Sequence, residues 1–241
     1  PRAGTLEMSV SAVEEAARLG MKVVLYDEGA YPSGSARGGV VAHNPDWAAK
    51  CLTPLYHRVR GPAKGLWRPN PGRALTAHLV AVVAARETGN DSLDPDSLQC
   101  LAWDDHELVR YDLPEGQWRL VAVWEGHSGG TIRGVFEEEE DGHALAPPAA
   151  DILRNDAVSY FIHLTHDAYF ANLREHFGKT VVAMFTDEPN PLGRCNGGDK
   201  RAWTPWFLPD VQRLWDTDVL RWLPALWLEC GPRTAAFRWT W

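Results

Sequence analysis

The chain has 241 residues, with 24 Lys+Arg against 32 Asp+Glu and a formal charge of −8. An acidic balance with no run of Lys or Arg excludes the basic face that nucleic-acid binding requires. No apolar stretch approaches the roughly 18 residues of a membrane span, and no signal-peptide pattern is present. Because the chain opens on Pro1, it reads as a fragment, and the compartment (secreted or periplasmic among the options) is left open. Cys51, Cys100, Cys195 and Cys230 are far apart without a C-x-x-C pair, so they read as reduced thiols rather than as a zinc site or disulfide framework. The 12 tryptophans suit sugar stacking and core filling alike.

In chain order, Ser9 to Leu19 reads as a short amphipathic helix stopped by Gly20. Met21 to Tyr26 is an apolar, β-branched run that fits a parallel strand buried on both faces. It ends in Asp27-Glu28-Gly29 and a Gly-rich loop to Gly39, after which Asn44-Pro45 predicts a helix through about Leu52. Short strands are expected at Leu75–Ala85, Leu98–Trp103, Glu107–Tyr111, Gln117–Trp124 and Thr131–Phe136, separated by turn signals such as Leu113 to Gly116. The acidic run Glu137 to Asp141 reads as a solvated loop. Asn155 predicts the cap of a long helix over Asp156–His176, closed by Gly178. Thr180 to Phe185 is a second buried strand, ending in Thr186-Asp187-Glu188-Pro189, and a last helix is expected at about Asp218–Glu229.

This pattern predicts an α/β chain containing part of a (β/α)8 (TIM-type) barrel, interrupted by an antiparallel β-sandwich-like insert. Residues 1–60 and 147–241 would supply the barrel parts and 61–146 the insert. A complete barrel takes about 250 residues, so only part of one fits.

Two strands that each finish in Asp-Glu direct four acids to one functional face, since parallel α/β folds work at the C-terminal ends of their strands. Paired carboxylates in a cleft suit glycoside hydrolysis, one protonating the leaving oxygen and the other activating water. Glu28 and Glu188 are the candidate catalytic pair because their longer side chains reach furthest. Asp27 and Asp187 would orient them, bind a hydroxyl or hold a metal.

Tyr26-Asp-Glu-Gly-Ala-Tyr-Pro-Ser-Gly-Ser-Ala-Arg-Gly-Gly39, Phe161-Ile-His-Leu-Thr-His-Asp-Ala-Tyr169 and Phe177-Gly-Lys-Thr-Val-Val-Ala-Met-Phe-Thr-Asp-Glu-Pro189 resemble motifs of the glycoside hydrolase family 106 α-L-rhamnosidases and their relatives. The resemblance implies a (β/α)8 catalytic barrel, inverting hydrolysis of a glycoside or oligosaccharide by Glu28 and Glu188, and a bound calcium. The order of acid and base is left open.

Smaller signals complete the candidate site. Tyr26, Tyr31, Trp47 and Trp203 are candidate sugar platforms, Arg37 sits at the rim, and His166 could meet a sugar hydroxyl. The Gly34–Gly39 loop lacks the Gly-Lys-Ser/Thr of a P-loop and so reads, rather than as a phosphate cradle, as a tight turn that lets the backbone approach substrate. Two other readings stay open: a sugar-binding or degenerate, non-catalytic fragment, and a hydrolase that holds calcium or magnesium with the four acids.

Overall fold

The computed structural model describes residues 3–72, 78–135, 143, 145–195 and 197–241. In chain order the strands are β1 (Val23–Tyr26), β2 (Lys50–Trp67), β3 (His78–Gly89), β4 (Ser92–Leu93), β5 (Gln99–Cys100), β6 (Val109–His127), β7 (Val181–Phe185) and β8 (Arg201–Trp203). The helices are α1 (Ala3–Arg18), α2 (Gly39–His43), α3 (Asn155–Ile162), α4 (Ala168–Leu173), α5 (Leu208–Leu214), α6 (Val219–Trp222) and α7 (Thr234–Thr240). The chain divides into two compact units, one within residues 1–49 and 128–196, the other within 50–127 and 197–241.

In unit 1, β1 and β7 form a two-stranded parallel sheet, with Val23 opposite Val181 and Tyr26 opposite Phe185. Val13 of α1 and Leu173 of α4 pack with Leu25 and Val181 to form the local core. A π-helical turn, His163–Asp167, joins α3 to α4. Such a turn carries an extra residue and changes which side chains face inward.

Unit 2 is built on a six-stranded sheet in the order β4-β3-β6-β2-β8, with β5 also paired to β3, and all its strand pairs are antiparallel. Trp118 to Glu125 of β6 are buried without interruption, because the sheet is covered on both faces. Val121 and Val123 pack toward Trp215, Trp222, Leu223 and Phe237 of the C-terminal helical segment. Ala122 and Trp124 pack with Leu55, Leu79 and Trp67.

These findings overturn the partial (β/α)8 barrel. That architecture needs each parallel strand to be followed by a helix and another parallel strand. Among the described strands only β1 and β7 pair in parallel, and the chain leaves β1 through α2 for the antiparallel β2. The insert is one sheet covered by helices on one side, not a sandwich of short strands. Its longest strands were hidden by residues that read as breakers. Gly61 sits at a bulge in β2, where an added Cβ would come within 1.9 Å of Pro114 O, so β6 continues through Leu113–Gly116 where a turn was expected.

The unit boundaries also differ from 1–60, 61–146 and 147–241. β2 begins at Lys50, and β8 adds to its edge, with Lys50 opposite Trp203, so the last 45 or so residues belong with the antiparallel sheet. The helix expected through Leu52 reduces to one turn at Pro45–Trp47, although Asn44 does accept a cap bond from Asp46 N–H at 3.1 Å. Asn155 is the first helical residue rather than the cap, and the last helix breaks into Val219–Trp222 and Leu223–Leu226. The acidic run Glu137–Asp141, Phe136 and Leu75–Ala77 lie outside the described residues.

Candidate functional site

Parallel pairing brings the two Asp-Glu pairs of unit 1 to neighbouring strand ends. Asp27 N–H donates to Phe185 O at 3.1 Å, which continues the ladder one residue past β1. Asp27 is buried, and each carboxylate oxygen accepts a hydroxyl. Ser33 donates to Oδ1 at 2.7 Å and Thr186 to Oδ2 at 2.6 Å. Ser33 Oγ in turn accepts Asp187 N–H at 2.9 Å, and Ser33 N–H donates to Asp187 O at 2.9 Å. Asp27 is therefore the tie between the two strand ends.

Glu28 is occupied differently. Its Oε1 accepts the N–H of Gly29 at 2.8 Å and of Arg37 at 2.5 Å, while Oε2 accepts Ser35 N–H at 3.0 Å and Ala36 N–H at 2.7 Å. Two donors on each oxygen fill the in-plane lone pairs. The loop can aim successive amides at one point because Ala36 and Arg37 adopt φ of 49° and 57°, the left-handed region that creates an anion-binding concavity. The loop expected to bring backbone to a substrate is thus an anion cradle occupied by the chain's own carboxylate. Arg37, exposed, latches this loop by donating to Gly29 O at 3.5 Å and to Val135 O.

Glu188 stands at the other extreme. It is exposed, adopts φ of 38°, and accepts one side-chain hydrogen bond, from the Tyr31 hydroxyl. The Tyr31 ring has the guanidinium groups of Arg133 and Arg194 at 4.9 and 5.0 Å. Donation to Glu188 is the main reason the Tyr31 phenol is held above its ordinary pKa. Asp187 is half-buried and accepts from Tyr26 Oη at 3.3 Å, while that hydroxyl also reaches Ala30 O at 2.9 Å. Burial, then the Asp187 charge, pushes the Tyr26 phenol up to about 12.

Two concave surfaces adjoin Tyr26 and Glu28, and neither is lined by Asp187 or Glu188. One, of about 360 Å³, is lined by Tyr26, Asp27, Glu28, Arg37, Thr165 and Tyr169 among others. The second, about 470 Å³ and more open, is bounded by Tyr26, Glu28, Tyr31 and Arg133. Both volumes fall in the range of small-molecule sites, about 300–1,000 Å³. Thr165, Tyr169, Arg133, Ser33 and Thr186 are site residues the sequence reading did not single out. Thr165 and Tyr169 lie inside the Phe161–Tyr169 motif, and the π-turn places Thr165 inward. No local signal marks Arg133.

Three expected residues are elsewhere. His166 Nδ1 lies 2.9 Å from Thr165 Oγ1 and its ring meets the edge of Phe161, but it lines neither concavity. Trp203 is buried in the core of unit 2, stacked on Trp241, with its indole N–H donating to Glu125 at 2.5 Å, so it offers no sugar platform. Trp47 packs against His43 and Tyr160. All tryptophans except Trp47 fall in unit 2.

A calcium site built on the four acids does not fit this arrangement. The Asp27 and Glu28 oxygens are taken by hydroxyls and amides, and among the described residues no three His, Cys, Asp or Glu side chains converge to hold a metal ion. Among the described residues no helix is long and apolar enough to cross a membrane. No protein family, curated protein or solved structure matches this chain.

Proposed function

We propose that unit 1 carries the site of a glycoside hydrolase, with Glu188 as the carboxyl group that exchanges a proton with the glycosidic oxygen or the attacking water. The observation that supports this reading is the exposed Glu188 carboxylate, which accepts the hydroxyl of Tyr31, a residue that lines the more open concavity. Cleavage of a glycosidic bond needs one carboxyl group to protonate the departing oxygen and another to activate water or attack the sugar. Asp187 is the fitting partner, because its carboxylate accepts only the long bond from Tyr26. Glu28 is reassigned from the reaction to the architecture of the loop, since a proton or substrate hydroxyl on it would displace an amide. Tyr26, its pKa pushed up to about 12, stays neutral at working pH and serves as a hydrogen-bond donor rather than a base. The motif resemblance supports an α-L-rhamnoside as the first substrate to try and inversion as the outcome. Inversion sets the two carboxyl groups about 6.5–9.5 Å apart.

The test is turnover of aryl glycosides, the α-L-rhamnoside included, by this chain and its Glu188→Gln, Asp187→Asn and Glu28→Gln variants. A proton-transfer role predicts a loss of about 10²-fold or more for Glu188→Gln in folded protein. Unchanged turnover in that variant overturns the assignment. A second reading, sugar binding without turnover, is favoured by the filled Glu28 carboxylate. Saturable binding of the same glycosides with no aglycone release would select it.

A further inference from the structure

Glu188 has an exposed side chain, which samples several rotamers unless a neighbour fixes one. The side-chain bond that it accepts comes from the Tyr31 hydroxyl, so the place of the Tyr31 ring decides where that carboxylate points. Three segments of unit 1 set this place. Tyr31 and Arg133 exchange N–H···O bonds at 2.9 and 2.8 Å, and Thr131 and Arg194 exchange theirs at 3.1 and 2.9 Å. Residues directly opposed in an antiparallel bridge, and residues two apart on one extended segment, send their side chains to the same side. Tyr31, Thr131, Arg133 and Arg194 therefore share one side, while Ile132 is buried on the other with Ala30, Ala49 and Ala149.

That shared side brings both guanidinium groups over the Tyr31 ring, Arg133 at 4.9 Å and Arg194 at 5.0 Å from its centroid. A guanidinium within about 6 Å of a ring centroid is attracted to the ring face, and two of them restrict the ring more than its backbone bridge does alone. Arg133 is exposed and Arg194 half-buried, and both take part in further contacts, so neither is a spare cation held for an anionic ligand. We propose that Arg133 and Arg194 form a clamp that holds the Tyr31 hydroxyl on Glu188, which makes them positioning residues for proton transfer. The clamp stands on this geometry, and its effect on turnover rests on the assignment of Glu188 to the reaction.

Titration of the Tyr31 phenol in the full chain tests the clamp without any substrate. Tyrosine carrying carbon-13 at Cζ is followed by NMR, and Tyr31→Phe assigns the signal. The phenol is held above its ordinary pKa chiefly by donating to Glu188, while the Arg194 charge pulls it the other way. The two roles open to Arg194 therefore predict opposite signs. If it only lends charge, Arg194→Gln moves the phenol further up. If it clamps the ring, the hydroxyl leaves Glu188 and the phenol comes down toward its ordinary value. The clamp predicts that fall in Arg194→Gln and in Arg133→Gln, each with an unchanged unfolding transition, and a rise or an unmoved titration overturns it. Should Arg194→Gln unfold, exposed Arg133→Gln decides alone. In turnover of the aryl glycosides, Arg194→Gln is expected to reproduce the shifted pH profile of Tyr31→Phe. The double variant should shift it no further, because a hydroxyl already removed cannot be misplaced. A further shift in the double variant means that Arg194 acts on Glu188 or the substrate directly, and overturns the positioning role. A parent chain without turnover defeats the active-site reading, and the phenol titration then decides the clamp.

Discussion

The Asp27-Glu28 pair and the Asp187-Glu188 pair follow strands that lie side by side, and in the sequence they look alike. In the fold Glu28 is buried with four amide donors on its carboxylate, whereas Glu188 is exposed and holds one phenol. Asp27 is buried between two hydroxyls, and Asp187 is half-buried with one long contact. The first pair spends its charge on holding backbone in place; the second leaves its charge available to a ligand. A strand-end acid is therefore judged by how many of its lone pairs the chain already fills, not by its position alone.

That contrast sets the order of expected effects. The largest belongs to Glu28→Ala, which leaves the amides of Gly29, Ser35, Ala36 and Arg37 without their acceptor and is expected to cost about 3 kcal/mol of stability in denaturant unfolding. A cost below about 0.5 kcal/mol would mean that water replaces the carboxylate freely and that the cradle is incidental. Ser33→Ala removes the hydroxyl that binds Asp27 and accepts Asp187 N–H, and is expected to cost about 1–2 kcal/mol. It should also lower turnover, because Asp187 and Glu188 lose their anchor. Full turnover in a destabilised Ser33→Ala chain would uncouple the two pairs. Tyr31→Phe removes the donor to exposed Glu188, so stability should stay within about 0.5 kcal/mol of the parent while the pH profile of turnover shifts. An unmoved profile would mean that Tyr31 does not orient Glu188.

The smallest effect is alkaline. Tyr26 is pushed up to about 12, first by burial and then by Asp187, against an ordinary value of 10.0. A folded pKa above the unfolded one contributes stability that is complete below pH 10 and fades as pH rises toward 12. Tyr26→Phe should flatten part of that decline. Tyr56 in unit 2, also pushed up to about 12 by burial, keeps the rest. An identical alkaline slope with and without Tyr26 would show that its hydroxyl is not held as described.

The legible parts of the molecule are those whose signal is local. β1 and β7 follow as strands from short β-branched runs, and their shared Asp-Glu endings from the motif itself, but the burial expected of them does not hold, since Val24, Val182 and Phe185 are exposed. What Glu28 does was not legible, because its capture depends on left-handed backbone at Ala36 and Arg37, residue types that do not announce it. β2 was hidden because Gly61-Pro62 and Gly65 read as punctuation, although a bulge at Gly61–Ala63 keeps them in one 18-residue strand. Trp203 was misplaced because a sequence shows no partner. Only the pairing of β8 with β2 and its bond to Glu125 put it in a core. The barrel failed for the same reason, since a parallel pair separated by about 155 residues says nothing about what lies between.

The most direct test pairs one stability measurement with one activity measurement on two variants, Glu28→Gln and Glu188→Gln. Lost stability in Glu28→Gln, together with an intact fold and lost glycoside turnover or binding in Glu188→Gln, is the predicted result. A stable Glu28→Gln chain that has lost turnover, beside an active Glu188→Gln, would contradict the assignment and return Glu28 to the chemistry.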